Sequence, residues 1–275
     1  MDNKKRTLIQ FIAALIQNAN IKGFFSGEIY KGATKNVCVP GLNCYSCPGA
    51  LGSCPIGSLQ NTLSSYKFKF PYYVLGLLIF FGVLLGRAVC GFLCPFGFLQ
   101  DLLNKVPFPK KIKTFKADKY LRIIKYIVLA VMVIILPVFV KLTPFFCKYI
   151  CPSGTLSGIL LSFSDTKLYQ FFGSTFIWKI CVLSIIIILS IIIARPFCKY
   201  LCPLGAFYAL FNKISVVQMD VDKSKCTGCS KCQNVCPMAV NPSKNANSTE
   251  CIRCGKCINK CPENAISYKN LYKNK

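Results

Sequence analysis

The sequence contains no histidine and only nine acidic residues, against 34 lysines and arginines. Without histidine, the chain lacks the usual axial ligand of haem and the mixed histidine sites of zinc and copper. Charged residues of both signs make up 16% of the chain, whereas hydrophobic residues make up 53%. This composition is too apolar for an ordinary soluble domain and indicates a membrane protein.

The excess of positive charge, formally +25, would ordinarily suggest nucleic acid or anionic lipid as a partner. The sequence has no base-stacking or groove-reading motif, so we expect no nucleic-acid partner. The lysines instead crowd the segments between apolar runs, where basic residues are retained on the cytoplasmic side of a membrane. We therefore attribute the charge to membrane topology and to bound anionic groups.

Three apolar runs, residues 71–89, 120–142 and 175–194, are long enough to cross a membrane. A hydrocarbon core of about 30 Å takes about 20 helical residues. A fourth run, residues 8–25, contains several polar residues, so it forms either a spanning helix, which we favour, or an amphipathic surface helix. The expected fold is an all-α bundle of about four membrane helices, with short re-entrant or interfacial helices.

The charge of the loops predicts the orientation of this bundle. Residues 105–119 contain a single acidic residue, Asp118, and six lysines: Lys105, Lys110, Lys111, Lys113, Lys116 and Lys119. By the positive-inside rule this loop is cytoplasmic. The N-terminus and the tail are then cytoplasmic too, while residues 26–70 and 143–174 face outward. We expect a transmembrane domain over residues 1–217 of a multi-pass cell-membrane protein, and a soluble domain over residues 218–275.

Nineteen cysteines form either a disulfide framework or a metal-binding set, and this chain is neither small nor evidently secreted. The tail contains CTGCSKCQNVCP and CIRCGKCINKCP, the spacing with which bacterial ferredoxins bind 4Fe-4S clusters. In that pattern the fourth cysteine of each run binds the other cluster. One predicted cluster is bound by Cys226, Cys229, Cys232 and Cys261, and the other by Cys236, Cys251, Cys254 and Cys257. Paired zinc knuckles, the alternative, normally have a longer stretch between their cysteine pairs. The tail is therefore expected to be a small α+β ferredoxin domain.

A second motif, Cys-x3-Cys-Pro-x-Gly, occurs three times near the ends of apolar runs, as CGFLCPFG, CKYICPSG and CKYLCPLG. Cysteines four residues apart share one helix face, and the following proline suits a fresh helix start. The predicted topology puts the first and third copies at the cytoplasmic edge. We expect one cluster there, bound by Cys90, Cys94, Cys198 and Cys202. Arg87 and Arg195, each three residues before its motif, either balance the cluster's charge or mark helix ends.

The loop at residues 38–54 adds four more cysteines in a segment rich in proline and glycine. Together with the second Cys-x3-Cys-Pro copy they make six candidates for an outer site: Cys38, Cys44, Cys47, Cys54, Cys147 and Cys151. A single cluster needs four of them, which leaves two spare or leaves room for a second metal. Disulfides are the alternative in an outward-facing loop. Cys181 stands alone in an apolar run and is expected to pack as a small hydrophobe.

These motifs together resemble the membrane polyferredoxins typified by NapH, with NosR and CcoG as relatives, from about residue 8 to residue 267. The resemblance implies an electron-transfer component of an oxidoreductase system, with 4Fe-4S clusters as cofactors. It also implies redox partner proteins, such as a flavoprotein, or a quinol, and an acceptor at or across the lipid membrane. The sequence departs from NapH in its third cysteine pair and its cysteine-rich loop.

Other chemistries are less compatible with these residues. The resemblance to CcoG implies reduction of copper or maturation of a metalloenzyme as the alternative function, since soft thiolates suit Cu(I). The lack of histidine and the presence of only four methionines weaken that alternative. Radical chemistry on S-adenosylmethionine would need a Cys-x3-Cys-x2-Cys triplet, which the sequence lacks. It has no nucleotide loop or flavin fingerprint, and we assign no catalytic residue.

Overall fold

The structure is a computed structural model that describes residues 3–65, 70–109, 111–115, 117–164 and 173–270. Lys110 and Lys116 of the lysine-rich loop and residues 271–275 of the predicted tail domain lie outside these residues. The described chain is mostly helical, and its tail contains a two-stranded sheet. The expected combination of a helical part and a small α+β tail is therefore present.

Two helices, Asp118–Phe139 and Ser174–Ile192, are long and apolar enough to cross a membrane. A third apolar helix, Tyr72–Leu85, is shorter, because it ends at Gly86, whose backbone turns into a left-handed conformation with φ of 53°. Its 14 residues rise about 21 Å, less than the about 30 Å of a hydrocarbon core. The prediction of long apolar helices is confirmed for residues 120–142 and 175–194.

The expected continuous helix over residues 8–25 is not formed. The structure divides this run into the helices Asn3–Gln17 and Ile21–Ser26. Between them the Asn20 side-chain amide donates a hydrogen bond of 2.8 Å to the carbonyl of Pro48, which holds the turn against the cysteine-rich loop. The first helix buries polar side chains and exposes apolar ones, among them Leu8, Phe11, Ile12 and Leu15. An apolar outer face of this kind suits contact with lipid.

Four short helices begin at a proline that directly follows a cysteine: Pro55–Leu63, Pro95–Leu103, Pro152–Ser164 and Pro203–Phe211. Proline suits the first helical position, because its φ angle is preset and its missing N–H would have no partner there. The three apolar helices alternate with these four along the chain. The first and third of these short helices directly follow Cys54 and Cys151, and the second and fourth directly follow Cys94 and Cys202.

The tail forms an antiparallel strand pair, Val217–Val221 with Ile266–Asn270, and two short helices, Lys231–Val235 and Lys256–Lys260. It is docked firmly on the helical part. The Arg253 guanidinium donates a hydrogen bond of 2.9 Å to the carbonyl of Leu85, and the Asn212 amide donates one of 2.9 Å to the carbonyl of Cys251. Ile252 of the tail belongs to the same buried core as residues of the apolar helices, such as Leu78 and Ile186. The two parts therefore share one hydrophobic core.

Candidate metal-cluster sites

The eight cysteines of the tail line two separate cavities. We call the first site C, lined by Cys236, Cys251, Cys254 and Cys257, and the second site D, lined by Cys226, Cys229, Cys232 and Cys261. Each run of the ferredoxin motif supplies three cysteines to one cavity and its fourth to the other. Burial, and to a lesser extent the neighbouring thiols of site C, raise the pKa of Cys257 to about 12. The geometry thus groups the thiols in the two sets that the spacing predicts.

The cysteines of the first and third Cys-x3-Cys-Pro copies converge on a buried position that we call site A: Cys90, Cys94, Cys198 and Cys202. Burial raises the pKa of the Cys202 thiol well above its usual value, and the other three thiols of site A raise it further. Cys94 and Cys202 each precede the first turn of a helix. Their sulfurs accept hydrogen bonds from the amides of Gly97 at 3.4 Å and Gly205 at 3.3 Å. A thiolate at either position is stabilised by the positive end of the helix dipole.

Two fully buried arginines connect the two Cys-x3-Cys-Pro copies of site A. The Arg87 guanidinium donates a hydrogen bond of 3.1 Å to the carbonyl of Cys198, and Arg195 donates one of 2.5 Å to the carbonyl of Cys90. Each arginine therefore holds the backbone of the opposite motif. Both arginines also lie just beyond the ends of apolar helices, Tyr72–Leu85 and Ser174–Ile192, so the two roles considered for them do not exclude each other.

Two carboxylates that sequence reasoning missed complete this arrangement. Asp101 accepts hydrogen bonds of 2.8 and 2.7 Å from Arg195 and also binds Arg6, and Glu250 pairs with Arg87 at 2.8 Å. Burial of Asp101 opposes its ionisation, but the charges of Arg195 and Arg6 outweigh burial and hold the pKa of the carboxyl well below its usual range. A usable signal existed, because so few residues are acidic and Asp101 and Glu250 lie near or beside cysteine motifs.

A second group of thiols, which we call site B, contains the buried Cys54 and Cys151 and the partly buried Cys44 and Cys147. The sulfurs of Cys44 and Cys151 both lie 3.8 Å from the position that a Cβ atom would take on Gly154. The Cys147 sulfur and the Cys54 Cβ atom lie 3.9 and 3.8 Å from the corresponding position on Gly57. Burial, and to a lesser extent the Cys44 thiol, raise the pKa of Cys54 to about 12. The packing thus selects four of the six outer candidates.

The other two outer candidates make different side-chain contacts. The Cys38 sulfur is 3.5 Å from the hydroxyls of both Ser53 and Ser58, and the Cys47 sulfur is 3.8 Å from the side-chain oxygen of Asn18. All nineteen cysteines are free thiols. Cys181 lies on an exposed face of the helix Ser174–Ile192, not in the core.

Each of the four sites offers four thiols, which is the donor set of a 4Fe-4S cluster. Within the described parts of the chain, no group of three or more cysteine, histidine or acidic side chains surrounds a single ion. The thiols that bind a cubane lie further apart than those that bind one ion, because each thiol binds a different iron. The residues present therefore fit iron-sulfur clusters.

Sites C and A, and sites A and B, are separated by short distances. Sites C and A touch, because a Cβ atom on Gly91 would overlap the carbonyl oxygen of Ile252, and these residues adjoin ligand positions of the two sites. Sites A and B are joined by the cysteine-rich loop. A Cβ atom on Gly41 would lie 2.9 Å from the Cα atom of Cys94, and Cys44 of site B follows three residues later. Three extended residues span at most about 11 Å.

This proximity differs from the expectation that the inner and outer sites lie at opposite faces of a core of about 30 Å. Tyr208 lies beside both sites, and its hydroxyl donates a hydrogen bond of 3.0 Å to the carbonyl of Pro40 in the connecting loop. Burial raises the pKa of Tyr208, and thiols of sites A and B, including Cys90 and Cys54, raise it further. The loop and Tyr208 therefore fill the short gap between sites A and B.

The fold and the four cysteine sites define an iron-sulfur protein of the polyferredoxin class. A family model described as a 4Fe-4S binding domain matches residues 70–115, 124–169 and 174–219, together half of the chain. Each of these stretches contains all or most of one apolar helix and one Cys-x3-Cys-Pro copy. A model described as a 4Fe-4S dicluster domain matches residues 218–262.

Three curated relatives support the same class. The uncharacterized protein MJ0750 of Methanocaldococcus jannaschii is 30% identical over 70% of this chain and 76% of its own length. The methylamine utilization ferredoxin-type protein MauN of Paracoccus denitrificans is 26% identical over 69% of this chain and 62% of its own. The ferredoxin-type protein NapH of Haemophilus influenzae is 27% identical over 59% of this chain and 52% of its own. The chain belongs to the 4Fe-4S binding domain family, as an electron-transfer polyferredoxin of the NapH and NosR type. No solved structure matches it.

Proposed function

We propose that the chain holds four 4Fe-4S clusters in the order D, C, A and B, and that it conducts electrons between a redox partner of the tail and an acceptor near site B. The continuity of the four sites supports this function above all. Site C lies against site A through Ile252 and Gly91, and the loop from Gly41 to Cys44 joins site A to site B. When bound, each cluster takes up and releases one electron.

The protein's contribution to such a conduit is to hold the thiols and to shield them from water. Each Cys-x3-Cys-Pro copy supplies two thiols, and the helix dipole behind the second cysteine favours its thiolate form. Arg87 and Arg195 lie close enough to the thiols of site A to offset negative charge there. Apolar side chains, among them Phe96 and Phe197, close site A off from solvent.

A buried ion-pair network supports electron exchange between the tail and the helical part. Glu250, next to Cys251 of site C, binds Arg87 at 2.8 Å and also binds Lys125 of the helix Asp118–Phe139. The side chains of Arg87 and Lys125 have no exposure to solvent. Because this network is buried, it holds sites C and A at a constant separation.

We further propose a multi-pass membrane protein whose tail is cytoplasmic. The two long apolar helices and the apolar outer face of the helix Asn3–Gln17 support this location, and the lysine-rich loop supports this orientation. A flavoprotein or a quinol would exchange electrons with the tail or the inner helix ends. Site B would then be the end of the conduit at which an acceptor exchanges electrons.

The number of clusters tests this function directly. Protein purified without oxygen should contain about 16 irons and 16 sulfides, four of each per cluster. The double variant Cys147→Ser and Cys151→Ser should lose about four irons and keep the signals of sites A, C and D in electron paramagnetic resonance (EPR) spectra. Cys181→Ser should keep all four clusters. A content of about eight irons with full sulfide would confine the clusters to the tail and refute the conduit. Copper bound stoichiometrically beside iron would favour the metal-handling alternative.

A further inference from the structure

Sites A and B each contain one copy of a short sequence repeat that is longer than the Cys-Pro-x-Gly segment of the known motif. Residues 54–60 read CPIGSLQ and residues 94–100 read CPFGFLQ, so the two segments share cysteine, proline, glycine, leucine and glutamine at the same positions. Both segments form the start of a short helix whose preceding cysteine belongs to a site. The repeat therefore places one glutamine, Gln60 or Gln100, at the same point of each helix.

The two glutamines make the same pair of contacts. The side-chain oxygen of Gln100 accepts a hydrogen bond of 3.2 Å from the amide of Phe197, and its side-chain nitrogen lies 3.1 Å from the sulfur of Cys198. The oxygen of Gln60 accepts one of 3.2 Å from the amide of Phe146, and its nitrogen lies 3.8 Å from the sulfur of Cys147. Each glutamine thus holds the first cysteine of the Cys-x3-Cys-Pro copy on the opposite side of its site.

The orientation of each side-chain amide follows from these contacts. An amide has one accepting and one donating end, and here the accepting end faces a backbone N–H group. The donating end must then point toward the sulfur, and Gln100 also reaches the carbonyl of Phe96 at 3.4 Å. Neither glutamine has any exposure to solvent, so water does not compete for its N–H groups.

We propose that Gln100 and Gln60 are positioning residues that raise the reduction potentials of the clusters at sites A and B. This inference rests on the proposed function, because it requires clusters at both sites. A reduced cluster carries one more negative charge than an oxidised one, and an N–H group directed at a ligand sulfur stabilises that charge. Since the nitrogen-to-sulfur distance is shorter at site A, the effect is larger there.

The test compares Gln100→Met, Gln60→Met and the parent protein by potentiometric EPR spectroscopy. Methionine keeps the approximate length of the side chain and removes its N–H donors. In Gln100→Met we expect the midpoint potential of site A to move to a more negative value while that of site B stays, and in Gln60→Met the reverse. In deuterated water, pulsed EPR should lose one exchangeable-hydrogen coupling at the altered site. Gln218→Met, whose amide donates to the carbonyl of Lys213, should move neither potential.

Each outcome bears on one hypothesis. Absence of signals beyond those of sites C and D in the parent protein would refute the proposed function. Signals at sites A and B whose potentials stay unchanged in both variants would refute the role of the glutamines alone, because a purely structural contact lowers stability without moving a potential. If Gln100→Met fails to assemble site A, the potential of site B in Gln60→Met decides between the two roles.

Discussion

Arg87 pairs with Glu250 at 2.8 Å, and this ion pair joins the helical part of the chain to its tail. Glu250 also binds Lys125, so one carboxylate is shared by two cations whose side chains are fully buried. A buried charge that loses its partner is strongly destabilising. The sharing of Glu250 by two cations therefore makes it the residue on which docking of the tail depends most.

We expect Glu250→Gln to destabilise the docked tail by about 3–5 kcal/mol, because Arg87 and Lys125 are then buried without a counter-charge. Limited proteolysis should release the tail from the variant at a protease concentration that leaves the parent intact. Glu263→Gln is the matched control, since Glu263 is exposed. Equal resistance of Glu250→Gln and the parent would show that the ion pair is dispensable for docking.

Gly91→Ala should separate sites C and A. The added Cβ atom would overlap the carbonyl oxygen of Ile252, a backbone atom that moves only together with the tail. We expect a weaker magnetic interaction between the clusters of the two sites, measured by EPR of the fully reduced protein. Gly76→Ala serves as the control, because a Cβ atom on Gly76 has nothing within 4 Å. An unchanged interaction in Gly91→Ala would contradict the contact between the two sites.

Single serine variants of the cysteine-rich loop should separate into two groups. Cys44→Ser and Cys54→Ser should weaken or remove the cluster of site B, with loss of up to about four irons. Cys38→Ser and Cys47→Ser should keep the full iron content, because their sulfurs contact hydroxyl or amide groups outside that site. Iron and sulfide quantification measures the difference. If Cys38→Ser alone lost the cluster, Cys38 would be a ligand of site B in place of Cys44 or Cys54.

Asp101→Asn should loosen the helix Asn3–Gln17 at its start. The substitution removes the carboxylate charge that pairs with Arg6 and Arg195, both of which are buried. We expect faster hydrogen exchange over residues 3–17 in the variant, measured by mass spectrometry. Asp220→Asn, which alters an exposed pair with Lys269, should leave this exchange unchanged. Unchanged exchange in Asp101→Asn would mean that packing alone holds the helix.

The two ends of the helix Asp118–Phe139 provide a matched test of orientation. Lys119 lies at its start and Lys141 lies just beyond its end, and both are exposed. A membrane-impermeant thiol reagent applied to intact cells should label Lys141→Cys and spare Lys119→Cys, with the parent as background. Labelling of Lys119→Cys alone would reverse the topology and, with it, the cytoplasmic location of the tail.

Local sequence was sufficient for some features of this protein. Three cysteines of each ferredoxin run lie so close along the chain that one short loop must carry them to one cavity, and sites C and D contain those sets. The apolar runs at residues 120–142 and 175–194 also form the expected long helices, Asp118–Phe139 and Ser174–Ile192. The break between Gln17 and Ile21 was harder to predict, since it depends on a hydrogen bond between Asn20 and the distant Pro48.

Sequence by itself determined where the thiols lie along the chain, the two sets in which the tail cysteines group and the two long apolar helices. Tertiary structure alone decided which four of the six outer cysteines meet, because Cys44 and Cys147 come from segments that only helix packing brings together. It also decided that Gln60 and Gln100 face sulfurs, and that sites A and B lie close together. Spacing along a chain specifies contacts within a turn or a loop, whereas contacts between distant segments depend on how whole helices pack.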